Sequence, residues 1–219
     1  MPPSRSVRPP RLPLILLGLF LVWWTILAIA PWYREDWLLE NLLVFAAVPV
    51  LVWSWRRLPF SDAAYLCLFA FFCLHELGAH YTYAAVPYDA WWRQITGVSL
   101  DALLGFRRNQ YDRLVHFLYG LLAMPAVVEL LAARAPARGL WRWLVPLFFV
   151  MGHSVLFELV EWWAAVVFGG PLGQAYLGTQ GDEWDAQKDM ALASLGGALA
   201  LIVLGARGRL RPPAPLPPA

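Results

Sequence analysis

The sequence predicts an all-α fold, a polytopic membrane bundle of about six transmembrane helices, and three observations carry that prediction. Of 219 residues, 60% are hydrophobic and 15% charged, and the mean hydropathy of +0.53 lies outside the soluble range. Six apolar runs approach or exceed the roughly 20 residues that a spanning helix needs. The 13 tryptophans include Trp32, Trp37, Trp53, Trp55, Trp91, Trp92, Trp141, Trp143 and Trp184, which fall near run ends, where aromatic belts form.

The runs cover residues 12–30, 38–55, 62–86, 112–133, 143–168 and 185–205. The first follows Arg5, Arg8 and Arg11 and ends in Ala28-Ile29-Ala30, which imitates a cleavage site. It is longer than a signal-peptide core of about 7–15 residues and is followed by further spans, so it reads as a retained helix. Breaks follow at Pro31, at Arg56-Arg57-Leu58-Pro59, at Pro136 and at Gly169-Gly170-Pro171. The connection at 87–110 is too apolar and aromatic for a solvated loop and is expected to lie on the membrane surface as a lid. The transmembrane domain thus spans 12–205, between two Arg/Pro-rich tails, 1–11 and 206–219, that read as disordered or extended chain. Trp23 and Trp24 stand apart from the belts, deep in the first run.

Eleven of the 17 lysines and arginines fall in the tails and the connections after the second and fourth runs. The positive-inside rule therefore places both termini of the multi-pass chain in the cytoplasm. Cys67 and Cys73 share one run and cannot meet along a helix, so they read as small core residues. A net charge of +2 with no basic groove gives no sign of nucleic-acid binding.

Charge in apolar sequence is concentrated in four segments, around His75-Glu76 and His80, Asp112 and His116, Glu158 and Glu161, and Asp182 to Asp189. Alternating spans bring all four to the same membrane face, whichever way the chain is inserted. A charge at the bilayer centre costs about 2.5–3.5 kcal/mol on insertion scales, so such a cluster is a functional-site hypothesis. Helical spacing aligns Asp112, His116 and Tyr119, then Ser154, Glu158 and Glu161, then Asp182, Asp185 and Asp189. Below Asp189 the same face runs on as Ala193, Gly196, Gly197 and Ala200, small residues that allow close backbone approach. Spans 1 and 2 carry almost no polar residues.

The cluster holds eight acids against Arg113 and Lys188. Carboxylates at that density must take protons, pair or bind a cation. Histidine nitrogen with carboxylate oxygen suits a divalent metal such as zinc. Glu76, His80, Asp112 and His116 are the candidate ligands, and Glu158, Glu161, Asp185 and Asp189 the candidate catalytic groups. A charge near a helix end can also snorkel or cap, which is the plain alternative for Asp112, Asp182 and Glu183. His153, near mid-span, fits a helix–helix hydrogen bond as well as a ligand. The His75-to-His80 segment is not a zinc-protease H-E-x-x-H, and neither a phosphate loop nor a G-x-S-x-G elbow occurs.

At these same residues the chain resembles the YjdF-type bacterial inner-membrane proteins. The likeness lies in His75-Glu76 with His80-Tyr81, Tyr111-Asp112-Arg113-Leu114-Val115-His116-Phe117, Glu158-Leu159-Val160-Glu161-Trp162, and the motif from Leu177 to Met190. It extends over residues 60 to 200 and implies a multispanning architecture without supplying a reaction. A weaker likeness is to VanZ-like membrane proteins of the cell envelope, at Asp112 to Phe117, Glu158/Glu161 and Asp185/Asp189. That family has Glu-Gln where this chain has Glu-x-x-Glu-Trp.

Three functional readings stand. The first is a His/Asp/Glu-lined outer-leaflet pocket that binds or acts on an envelope lipid or lipid-linked molecule, with a divalent metal. The second is a proton- or cation-coupled transporter, the third a non-enzymatic assembly subunit gripping a membrane partner protein. A carrier needs polar residues running to both faces, and here they crowd one.

Overall fold

A computed structural model of the chain describes residues 11–210, and among these it contains helices and no strand. Six long helices occupy the expected runs: α1 (Arg11–Leu27), α2 (Arg34–Ser54), α3 (Asp62–Tyr81), α6 (Tyr111–Arg134), α7 (Trp141–Phe168) and α9 (Asp185–Ala206). Five of them are long and apolar enough to cross a membrane. The sixth, α1, has 17 residues, about 25 Å at 1.5 Å per residue, a little less than the ~30 Å hydrocarbon core. The expected tails fall largely on residues outside those described. Arg207–Leu210 forms a turn after α9, where the Leu210 carbonyl accepts from Arg142 Nη1 at 3.0 Å.

Three short helices sit in the connections. The third span ends at Tyr81 rather than 86, because Thr82 turns the chain at φ +52°. A 3₁₀ turn (Tyr83–Ala85) leads to α4 (Tyr88–Thr96) and α5 (Leu100–Leu104). Ser99 caps α5 by accepting from Ala102 N, and Asp89 accepts from Ser99 Oγ at 3.0 Å and Asp101 N at 2.9 Å. These donors hold the Asp89 carboxyl below its usual range, the Asp101 amide contributing most. Ile95, Val98, Leu103 and Leu104 remain exposed, leaving the pair with an uncovered apolar face suited to a bilayer surface. After α7, Gly169 at φ +60° turns the chain into α8 (Gly170–Leu177), which has Pro171 in its first turn.

The bundle is built around α6 and α9, which pack more closely than any other pair. Glycine makes this possible: a Cβ on Gly196 would overlap the Phe117 carbonyl oxygen, and one on Gly120 would overlap that of Ala193. The small-residue face of α9 is therefore the seam, with Gly120 of α6 opposite it. Beneath the seam Met124, Val127, Val150, Ala200 and Leu201 form an apolar core. On the far side Glu129 of α6 clamps the start of α3, accepting from Ser61 Oγ at 2.5 Å and Ser61 N at 2.7 Å. Trp23 and Trp24 sit mid-span because their indoles donate inward, to the Cys73 carbonyl at 3.0 Å and to Asn41 Oδ1 at 2.6 Å. Outward-facing leucine, isoleucine and valine on α1, α2, α7 and α9 are exposed, as lipid-facing helices require.

Candidate functional site: an acid–imidazole centre in one leaflet

The ends of α3 and α7 and the starts of α2, α6 and α9 meet on one side of the bundle, where the ionisable groups gather. Asp112 and His116, one turn apart on α6, face Asp189 on α9. One ligand atom from each lies within 4.8 Å of the other two, and all three residues are buried. His116 Nε2 is 3.5 Å from Asp112 Oδ1 and 3.7 Å from Glu158 Oε1. Asp189 Oδ1 and Glu158 Oε1 are buried without a hydrogen-bond partner. For metal–ligand bonds of about 2.0–2.2 Å, tetrahedral ligands stand about 3.3–3.6 Å apart. The His116–Asp112 separation of 3.5 Å falls in that range.

On α7 the expected stripe faces inward, with Ser154 and Glu161 buried and Glu158 beside His116. Asp112, His116, Ser154 and Glu161 line a cavity of about 40 Å³, room for a few waters at roughly 10–15 Å³ each. His153 stacks against Tyr119 on its wall, ring centroids 5.3 Å apart.

Two expected ligands fall outside this group. His80 turns to α1, its Nδ1 2.8 Å from the Leu27 carbonyl, an acceptor left open by the end of that helix. Glu76 is fully buried, but it faces α2, with Asn41 and Trp37 as polar neighbours, so neither residue reaches His116. His75 is committed as well, through Nε2 to the Glu40 carbonyl at 3.1 Å and through Nδ1 to the Tyr83 hydroxyl.

The second span is not nearly free of polar residues. Asp36, Glu40 and Asn41 of α2 are all buried on the same side as the centre, and Asp36 Oδ1 and Glu40 Oε2 have no hydrogen-bond partner. The signal was present as an acid–amide pair, Glu40-Asn41, inside an apolar run, four residues after Asp36.

Above the centre, two loops are clasped together at the membrane face. Arg108 Nη1 donates to Asp185 Oδ1 at 2.5 Å and to the Thr179 carbonyl at 2.8 Å. Arg113 pairs with Asp182, and Lys188 Nζ donates to both Asp182 oxygens at 2.6 and 2.9 Å. Asn109 and Gln180 exchange hydrogen bonds at 3.0 and 3.1 Å. Asp185 is thus an ion-pair partner rather than a free acid. Asp182 precedes α9 and is held at about 2, below its ordinary value, by Lys188, with the Trp184 amide and Arg113 adding to the effect.

With the clasp satisfied, Asp36, Glu40, Glu76, Asp112, Glu158, Glu161 and Asp189 have no lysine or arginine partner among the described residues. Burial of that much carboxylate is relieved by protons or by a bound cation. Toward the opposite face, α9 presents Ala193, Gly196, Gly197 and Ala200, and the apolar core around Met124 and Val150 closes the bundle. The polar centre is one-sided.

Comparison with known proteins agrees with this architecture. Residues 12–209 match the family described as "Predicted membrane protein (DUF2238)". The inner membrane protein YjdF of Escherichia coli (strain K12) is 36% identical over 181 residues, 81% of each chain. No solved structure matches the chain. A family match over nearly the whole length, together with a curated relative covering four-fifths of it, makes this chain a member of the DUF2238/YjdF family of integral membrane proteins.

Proposed function

We propose that this protein binds a divalent cation through Asp112, His116 and Asp189, and uses it to bind and act on the polar head of an envelope lipid or lipid-linked molecule. Both termini lie in the cytoplasm in this reading, which puts the centre in the outer leaflet. The observation that carries it is the convergence of one ligand atom from each of three buried residues within 4.8 Å; two of those residues, Asp112 and His116, line a small cavity. A mixed nitrogen and oxygen set with no sulfur favours zinc, iron or manganese. The cation would polarise a bound oxygen, and Glu158, beside His116, would take the proton that this releases. The apolar core around Met124 and Val150 speaks against a carrier, which needs a polar path to both faces.

Elemental analysis of protein purified in mild detergent tests the reading. It predicts one equivalent of a transition metal in the wild type, and less than a tenth of that in His116→Ala and Asp189→Asn chains that still fold, a loss of about tenfold or more in occupancy. Metal-free wild type after purification without chelators and supply of zinc, iron and manganese would overturn it.

A further inference from the structure

The geometry points to a sideways route into the centre, a cleft between α2 and α7 through which a neutral, hydroxyl-bearing bilayer lipid presents its head to Glu40 and the inner cavity. The two helices do not pack along their length, and α8 packs against both, roofing the gap on the water side. The gap has a volume of about 260 Å³. Its outer walls, Leu42, Leu156 and Val160, are exposed apolar side chains at membrane depth, so a lipid chain is the solvent that meets them. Its inner end is polar, with Glu40 buried to 3% exposure and Oε2 unpartnered. Leu43, His153 and Phe157 line both this cleft and the cavity that holds His116, which makes the two spaces neighbours through one shared wall. From the water side the centre is closed by the Arg108, Arg113 and Lys188 clasp, which leaves the bilayer as the side from which the cleft is open.

Charge decides the class of lipid. Among the described residues no lysine or arginine lines the cleft, so an anionic phosphate head would meet no counter-charge there, whereas a neutral hydroxyl head can donate to the Glu40 carboxylate or accept from its protonated form. The step from binding to reaction rests on the metal reading above, whereas the route and the head chemistry do not.

The test uses delipidated full-length protein in detergent, with dioleoylglycerol or dioleoyl phosphatidic acid added back and retention counted by native mass spectrometry. The wild type is expected to keep one dioleoylglycerol, and to keep phosphatidic acid at least about tenfold less, the equivalent of 1.4 kcal/mol. Leu43→Trp, which fills the cleft, is expected to lose dioleoylglycerol to the same extent. Leu156→Trp, at the exposed outer wall where folding is least at risk, serves if Leu43→Trp does not fold. Equal retention of the two lipids, or undiminished retention in a folded tryptophan variant, would overturn the inference. Metal content measured on the same samples separates the two ideas: a metal-loaded protein without lipid retention sinks only the cleft, and a metal-free protein that retains dioleoylglycerol sinks only the cation.

Discussion

Replacing Gly196 by alanine adds one methyl group where α9 crosses α6, and the structure sets the size of the effect. The new carbon would overlap the Phe117 carbonyl oxygen and lie 2.9 Å from the Leu121 amide nitrogen. Ordinary contact begins at 3.4 Å, and both neighbours are backbone, which cannot rotate aside. The second contact alone forces the helices apart by about 0.5 Å, and the first by more, with an overpacking cost of about 1–3 kcal/mol. In a chain of this size each kcal/mol lowers Tm by about 2–4 °C. Gly196 lies two helical turns below Asp189, and Phe117 follows His116, so the parting also spreads the candidate ligands. The assay is thermal unfolding in detergent with metal content on the same samples, beside a Gly152→Ala control, where a Cβ meets nothing within 4 Å. Gly196→Ala should unfold several degrees lower and hold less metal, while the control should match the wild type or exceed it slightly. A Gly196→Ala chain as stable as the control would refute the close α6–α9 approach.

His80 and His116 should separate cleanly: His80→Ala loses the bond to the Leu27 carbonyl and about 1 kcal/mol of stability with metal content unchanged, while His116→Ala loses metal, both read by unfolding and elemental analysis. Asp182 is held at about 2 against an ordinary 3.8. A carboxyl depressed in the folded state adds stability above its unfolded value, and that contribution fades as pH falls from about 4 to about 2. Thermal unfolding across that window should show the loss, and Asp182→Asn should remove this part of the pH dependence. Ser61→Ala removes the cap of α3 and leaves Glu129 Oε1 without its 2.5 Å donor, which should cost about 1–2 kcal/mol in an unfolding titration.

The six long helices were legible because apolar runs of that length have one structural meaning in a membrane chain, and their observed bounds differ from the expected ones by five residues or fewer. The Asp112/His116 and Glu158/Glu161 stripes were legible for a similar reason, since helical spacing fixes a face. What period cannot reveal is which neighbour that face meets. His80 carries the right chemistry for a ligand but satisfies a backbone carbonyl of α1, and a carbonyl acceptor leaves no mark in a side-chain pattern. Asp36 lies before the second run, which starts at residue 38, and a single acid such as Glu40 near a helix start has the same pattern whether it is solvated or buried. The short helices α4, α5 and α8 left only an apolar connection and a Gly-Gly-Pro signal. Gly120 has no comparable sequence signal, because only the α9 side of the seam carries a repeated small-residue stripe.

X-ray absorption at the metal edge of protein loaded with one equivalent of zinc tests the central claim most directly. A shell of nitrogen and oxygen at about 2.0–2.2 Å is predicted, with imidazole outer-shell scattering that vanishes in His116→Ala. Binding no tighter than to detergent blanks, or an imidazole signature that survives the loss of His116, would contradict it.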